Sequence, residues 1–145
     1  MRLVVQRISS AQVRVDGAVS GSAGSGLCIL VGFKKGDERG AVERLSEKVK
    51  RLRIFEDDRG KMNRSLIDCG GEVLVISEFT LYGDCDRGHR PSFTDAAPAD
   101  EALPLYNQFI ESLREAGLRV ATGVFGAKME VTLTNDGPVT VILEA

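Results

Sequence analysis

The single histidine, His89, is the first residue to consider for catalysis, because imidazole is the side chain best suited to general base work near neutral pH. It lies between Arg87 and Arg90, and two neighbouring cations favour its neutral form. A Ser-His-Asp arrangement also needs a nucleophile and an orienting carboxylate beside the ring. Only tertiary contacts could bring these groups together, so the sequence gives little support to a histidine-based triad.

The three cysteines and one glycine-rich segment give no better evidence of a site. Cys28, Cys69 and Cys85 lack zinc-site spacing, and their odd number does not indicate a disulfide framework. Cys28 lies in an apolar run and is interpreted as a buried small hydrophobe, whereas Cys85 lies in a polar loop. Segment 21–26, GSAGSG, lacks the Lys-Ser/Thr of a phosphate-binding loop and is interpreted as a hairpin. We expect no metal and no organic cofactor.

Two interruptions of strand-like segments could carry chemistry. Alternation along segment 72–83, EVLVISEFTLYG, predicts a strand in which one face turns from apolar to polar at Glu78 and Thr80. Near the C-terminus, Gly137 and Pro138 interrupt two strand-like runs, and proline must lie at an edge, a turn or a bulge because it cannot donate to a ladder. On pattern alone, a strand end and an ordinary turn are favoured over a site for these two features.

Basic residues concentrate between residues 44 and 64, which contain eight basic and four acidic side chains, although the whole chain has a formal charge of −2. That overall charge excludes a protein that coats nucleic acid by bulk positive charge. On a helix, Arg44, Lys48 and Arg51 would share one face. This basic strip is either a solvated helix face or a surface that contacts phosphates.

The elements that must position these residues form one domain of 145 residues. The first 33 residues alternate, and Asp16-Gly17 is a hairpin signal. Helices are predicted from Asp37, as the cap, to about Leu52 and from about Asp100 to Ala116. The last three strand-like runs follow short turns, which favours antiparallel pairing among them. The order predicts an α+β fold with a mostly antiparallel, barrel-like sheet and two outer helices.

No apolar run reaches the roughly 18 residues that a membrane span requires. The first ten residues, MRLVVQRISS, contain two arginines within a short apolar stretch and no small-residue cleavage site, which is not typical of a signal peptide. We therefore expect a cytoplasmic protein with no membrane partner.

Taken together, five segments in this order and spacing resemble the D-aminoacyl-tRNA deacylase (D-tyrosyl-tRNA deacylase) family over essentially the whole chain, residues 1–145. They are MRLVVQRISSAQVRVDG, LRIFEDDRGKMNRSLID, ISEFTLYGD, RGHRPSF and TGVFGAKMEVTLTNDGPVT. The resemblance implies a homodimeric editing hydrolase of compact, barrel-like α+β fold. Its substrate would be the 3′ end of D-aminoacyl-tRNA, or glycine mischarged on alanine tRNA, and no DNA partner is implied.

The resemblance also implies the site residues. The family's Ser-Gln-Phe-Thr-Leu strand corresponds to a segment with the catalytic residues Ser77, Glu78, Phe79 and Thr80. The Gly-cis-Pro dipeptide, which the family contributes across its dimer interface, corresponds to Gly137 and Pro138. Arg7 matches an arginine that helps to hold the Gly-Pro loop, and Met129 matches a residue that lines the pocket. These four residues are the expected substrate-binding set, and no metal ligand is implied.

The chemistry implied in this way needs no triad. The vicinal hydroxyl of the terminal adenosine helps to activate water, while the backbone N–H groups of Phe79 and Thr80 stabilise the oxyanion. The Gly-Pro backbone would accept the α-ammonium and exclude an L side chain. Thr80 as a covalent nucleophile is the competing mechanism, and it is disfavoured because no base stands near it in sequence.

Glu78 departs from the family, which usually has glutamine there. An ionised glutamate only accepts hydrogen bonds and adds negative charge near a polyanion. It either packs behind the strand, orients Thr80 or contacts RNA, or supplies a carboxylate base. Two alternative functions stay open: a relaxed relative that also accepts some L-aminoacyl-tRNAs, and a tRNA-binding module without catalysis if Glu78 disables the site.

Overall fold

A computed structural model of the protein describes residues 1–86 and 88–145. Arg87, which flanks His89 in the sequence, lies outside the described residues. The strands are β1 (Arg2–Val15), β2 (Ala18–Ala23), β3 (Gly26–Gly32), β4 (Phe55–Glu56), β5 (Met62–Arg64), β6 (Glu72–Ser77), β7 (Arg119–Thr122) and β8 (Glu130–Glu144). The helices are α1 (Arg39–Arg51), α2 (Leu66–Cys69) and α3 (Ala99–Glu115). Of the helices in the described residues, none is long and apolar enough to cross a membrane.

The long strand β1 organises the sheet. One edge of β1 pairs antiparallel with β8 from residue 2 to residue 14. The other edge pairs with β3 over residues 2–8 and with β2 over residues 11–15. A Cβ atom on Gly21 of β2 would lie 2.4 Å from the carbonyl oxygen of Thr122 in β7, so the glycine lets these two backbones touch. The sheet is therefore nearly closed, and the predicted α+β class with a barrel-like sheet is confirmed.

The predicted turn at Asp16-Gly17 is confirmed, because both residues have positive φ angles, 51° and 80°, and join β1 to β2. The hairpin predicted for segment 21–26 is wrong. Strands β2 and β3 form no ladder with each other and lie one after the other along β1. A first strand of 14 residues offers enough backbone to pair with both.

The antiparallel pairing predicted among the last three runs is also wrong. Strand β7 pairs parallel with β6, and β6 pairs parallel with β3. Helix α3 carries the chain back to the same end of the sheet, as a crossover between parallel strands requires. The two C-terminal runs are the single strand β8, because Gly137 and Pro138 lie within a register shift of its ladder with β1 and do not end it.

The strands β3 and β6 separate two apolar cores. Val73 and Val75 face the core that α1 and α3 cover, whereas Leu74 and Ile76 face a second core inside the curved sheet. The two long helices lie within two residues of their predicted bounds. Asp37 does not cap α1, because its carboxylate accepts hydrogen bonds from the Lys34 N–H and from the N-terminal ammonium, the latter at 2.6 Å. The one-turn helix α2 was not predicted.

Cys28 is fully buried, as predicted, and burial raises the pKa of its thiol from 9.0 to about 11. The unfolded chain therefore releases this proton first, and the free energy of unfolding falls as the pH rises through 9 toward 11. When the pH is raised from 8 to 10.5, we expect the free energy of unfolding to fall by about 2 kcal/mol less in the Cys28→Ala variant than in the unaltered protein. Urea unfolding at the two pH values measures this difference, and equal losses in both proteins would contradict it.

Candidate active site

A cleft of about 380 Å³ lies where the parallel strands β3, β6 and β7 end. This edge is where sheets with parallel strands and crossover helices usually bind their ligands, because the loops that follow the strands converge there. The first turn of α3 completes the wall. The residues that line the cleft include Val31, Phe33, Ile76, Ser77, Glu78, Phe79, Ala102, Phe125, Ala127 and Met129.

Among the described residues that line the cleft, Ser77 and Glu78 are the only ones with side-chain oxygen atoms, and the others are apolar. An apolar cleft with few polar groups suits a small organic group whose orientation is fixed by a few hydrogen bonds. Within residues 1–86 and 88–145, no group of three or more His, Cys, Asp or Glu side chains is placed to hold a metal ion.

Glu78 lies at the end of β6 and turns the chain. The predicted strand over residues 72–83 ends at Ser77, and residues Phe79–Tyr82 form a 3₁₀ turn. The Glu78 N–H donates to the Val31 carbonyl at 2.8 Å, which fixes the end of β6 against β3. Its carboxylate oxygen Oε1 accepts from the Thr80 N–H at 3.3 Å and from the Thr80 hydroxyl. Glu78 therefore caps the turn by accepting hydrogen bonds from donors at its N-terminal end.

This cap changes the expected set of oxyanion donors. The Thr80 N–H is engaged by Glu78, whereas the Phe79 N–H has no hydrogen-bond acceptor among the described residues. A free amide at the edge of an apolar cleft can stabilise a developing negative charge on a carbonyl oxygen. The sequence predicts no base near Thr80. In the structure, the Thr80 hydroxyl donates a hydrogen bond to the Glu78 carboxylate, so one basic group does lie beside it.

Aromatic side chains that the residue patterns did not single out border the cleft. The Phe79 and Phe93 rings meet edge to face with centroids 5.1 Å apart. Phe93 lies just beyond a short ladder between Asp84 and Ser92, within the RGHRPSF segment that carried the family resemblance. Phe33 and Phe125 line the cleft itself. Phe33 and Phe125 lie near the ends of predicted strand-like runs, where an apolar residue alone does not indicate a site.

The residues of the less favoured hypotheses lie elsewhere. His89 and Cys85 are exposed, and neither belongs to the lining of the cleft. The basic strip lies on α1, where Arg51 is 3.6 Å from the Glu47 carboxylate. Its contact with phosphates stays a prediction.

Arg7 is buried beneath the Gly137–Pro138 segment. Its Nε atom lies 3.2 Å from the carbonyl oxygen and 3.1 Å from a carboxylate oxygen of Asp136. Its Nη1 atom donates to the Ile54 carbonyl at 2.7 Å. The Gly137–Pro138 peptide bond is cis, and Gly137 has a φ of 123°. A Cβ atom on Gly137 would lie 2.9 Å from the Arg7 guanidinium, so the loop and the arginine pack without room for a side chain.

A single chain does not bring all the predicted site residues together. Ser77, Glu78, Phe79 and Met129 line the cleft, and Thr80 is held just outside its lining by Glu78. Gly137 and Pro138 are exposed and do not line it.

The separation between the Gly137–Pro138 loop and the cleft follows from the register of β1 and β3. Arg7 pairs with Leu27, four residues before Val31 in the wall of the cleft, which is about 13 Å along a strand. The loop that Arg7 holds is therefore separated from the cleft of its own chain.

Sequence comparisons agree on one family. The model of the D-Tyr-tRNA(Tyr) deacylase family matches residues 4–144. A D-aminoacyl-tRNA deacylase from Thermomicrobium roseum is 56% identical over 145 residues, which is 100% of this chain and 94% of the relative. A D-aminoacyl-tRNA deacylase from Clostridium botulinum strain Loch Maree is 52% identical over 100% of this chain and 97% of its own length.

Solved structures share the architecture. The c-Myc DNA unwinding element binding protein superposes with a TM-score of 0.93 at 40% identity, covering 100% of this chain and 99% of the other. A probable eukaryotic D-amino acid tRNA deacylase superposes with a TM-score of 0.85 at 18% identity, covering 99% and 98%. The second match, at this low identity, supports the fold alone.

Proposed function

This chain belongs to the D-Tyr-tRNA(Tyr) deacylase family, and on that premise we propose that it is a hydrolase that cleaves the ester between a D-amino acid and the terminal ribose of tRNA. The observation that carries the proposal is the apolar cleft with the unpartnered Phe79 N–H at its edge. The cleft has room for an amino-acid side chain and a nucleoside edge, while the rest of the tRNA stays outside.

The proposed mechanism relies on the substrate for its base. An aminoacyl ester on ribose has a hydroxyl on the neighbouring carbon, which can help to activate the attacking water. The Phe79 N–H then stabilises the oxyanion of the tetrahedral intermediate. Thr80 is disfavoured as a nucleophile because its hydroxyl is held by a carboxylate, which is a weak base toward an alcohol.

Chirality is proposed to be read by backbone atoms of a second copy of the chain. Gly137 and Pro138 are exposed, rigidly held by Arg7 and separated from the cleft of their own chain. Inserted into a partner's cleft, their carbonyl groups would accept hydrogen bonds from the α-ammonium and leave no space for an L side chain. Glycine has no side chain to exclude, so glycyl-tRNA mischarged on alanine tRNA is also a proposed substrate.

The direct experiment is single-turnover deacylation of D-tyrosyl-tRNA, L-tyrosyl-tRNA and glycyl-tRNA by the purified protein. Rapid loss of the D and glycyl esters, with the L ester spared, is the expected result. Equal loss of the L ester would instead identify a relaxed relative. Binding of all three tRNAs without hydrolysis would identify a tRNA-binding module.

Sharing of the site between two copies predicts complementation. Phe79→Pro removes the amide from the cleft, and Gly137→Ala displaces the loop, so each variant alone should be inactive. In a mixed dimer, one site combines the intact cleft of the Gly137→Ala chain with the intact loop of the Phe79→Pro chain. We expect co-expression of the two to restore activity in purified mixed dimers, to about half of that of the unaltered dimer per molecule, because one of two sites is intact.

Mixed dimers with no activity would contradict a site shared between copies. A mixture of Gly137→Ala with Arg7→Met, both of which alter the loop, is the control and should stay inactive.

A further inference from the structure

Glu78 is the one titratable side chain that lines the cleft within the described residues. Its Oε1 atom accepts both hydrogen bonds from Thr80. Within residues 1–86 and 88–145, no donor bonds to its other oxygen, Oε2, and no cation forms an ion pair with its carboxylate. The free carboxylate oxygen of this half-buried side chain is therefore available to accept a hydrogen bond from a cationic ligand in the cleft.

We propose that Glu78 Oε2 binds the α-ammonium of the aminoacyl ester, an inference that rests on the proposed function. In an α-amino ester, the carbon that carries the ammonium is bonded directly to the ester carbonyl carbon. In the protein, the Glu78 carboxylate and the Phe79 N–H belong to adjacent residues at the same edge of the cleft. An ester oxygen bound by this amide would direct the ammonium on the next carbon toward the carboxylate of the neighbouring residue.

The charge of the remaining substrate supports the same orientation. The tRNA backbone is a polyanion, which a carboxylate repels, whereas the free amino group is the cation of an aminoacyl ester at neutral pH. An ammonium has three N–H donors, so Glu78 can take one while backbone carbonyls take the others. A glutamine whose Oε1 accepts from Thr80 would turn its amide NH2, which cannot accept a hydrogen bond, toward the ammonium, whereas the carboxylate offers a second, charged acceptor.

The test compares Glu78→Gln with the unaltered protein on D-tyrosyl-tRNA and on N-acetyl-D-tyrosyl-tRNA, which lacks the cation. The glutamine Oε1 can still accept from Thr80, so the turn is retained. For the free-amine substrate we expect the concentration at half-saturation to rise about tenfold, with the saturating single-turnover rate within about threefold. For the acetylated substrate we expect no change between the two proteins.

Glu111→Gln is the matched control for net charge, because Glu111 is exposed on α3 and pairs with Arg114. It lies nine residues beyond Ala102 of the cleft, about 13 Å along the helix axis. This control should leave both substrates unchanged. Equal losses on both substrates in Glu78→Gln would overturn the proposal and place the carboxylate at the ester chemistry instead. No loss on either substrate would also overturn it.

Equilibrium binding separates this inference from the proposed activity. The probes are adenosine with a 3′ D-tyrosylamide, which cannot be hydrolysed as an ester, and its N-acetyl form. The unaltered protein should prefer the free amine, and Glu78→Gln should lower this preference about tenfold, because only the backbone carbonyls then accept from the ammonium. If the protein hydrolyses no ester but shows this dependence on Glu78, the proposed function fails alone. If it hydrolyses D-tyrosyl-tRNA and the preference is the same in both proteins, this inference fails alone.

Discussion

Replacing Phe79 by proline is expected to lower the single-turnover rate of D-tyrosyl-tRNA deacylation by about 10²- to 10³-fold while the protein stays folded. The change removes the one amide N–H that the proposed mechanism uses. Phe79 is the first residue of a 3₁₀ turn, where proline's fixed φ is accommodated. The preceding residue, Glu78, has φ −144° and ψ 88°, which is outside the α region that proline disfavours in the residue before it.

Phe79→Ala is the matched control because it keeps the amide and removes the ring that meets Phe93. We expect it to weaken binding of the tRNA end, with a much smaller effect on the saturating rate. Far-ultraviolet circular dichroism and urea unfolding establish that both variants are folded. If proline and alanine lower the saturating rate by the same factor, the ring is the important group and the Phe79 amide is not the oxyanion donor.

The elements that could be predicted are those whose pattern is local. Val42, Leu45 and Val49 repeat at helical spacing, and all three are buried in α1. The Asp16-Gly17 turn needs two residues that tolerate positive φ, which few residue types do. In both cases the physical cause lies within a few residues of the chain, so the sequence is sufficient.

The parallel arrangement of β3, β6 and β7 could not be read in the same way, because short turns do not reveal which strand edge is free. One signal was present in β6. Residues 73–76, VLVI, are all fully buried, and an uninterrupted apolar run is typical of a strand covered on both faces. Alternation, on which the predicted strand rests, does not distinguish one covered face from two.

The end of β6 shows why the site was predicted only through the family resemblance. Phe79, Thr80 and Tyr82 all favour strands, so local propensity extends β6 beyond Ser77. The turn forms because Glu78 bonds to β3 through its N–H and to Thr80 through its carboxylate. The first of these contacts is tertiary, so neither the cap nor the free Phe79 amide follows from spacing.

Replacing Arg7 by methionine is expected to lower the free energy of unfolding by about 3 kcal/mol and to abolish the deacylation of D-tyrosyl-tRNA. The methionine keeps much of the apolar stem, so the loss reports on the guanidinium. That group donates to the Ile54 carbonyl at 2.7 Å and to Asp136 at 3.2 Å, and hydrogen bonds from a charged donor contribute about 1.5–3 kcal/mol each. Urea unfolding and single-turnover deacylation measure the two effects.

Arg14→Met is the control on the same strand, because Arg14 is exposed and, within residues 1–86 and 88–145, donates only to the Gly17 carbonyl. We expect it to cost less than about 1 kcal/mol and to leave deacylation unchanged. Arg7→Lys keeps the charge, but a single ammonium cannot span Ile54 and Asp136 as the guanidinium fork does, so activity should remain low. Full activity in Arg7→Lys would show that positive charge alone holds the Gly137–Pro138 loop, and full activity in Arg7→Met would remove the loop from the site.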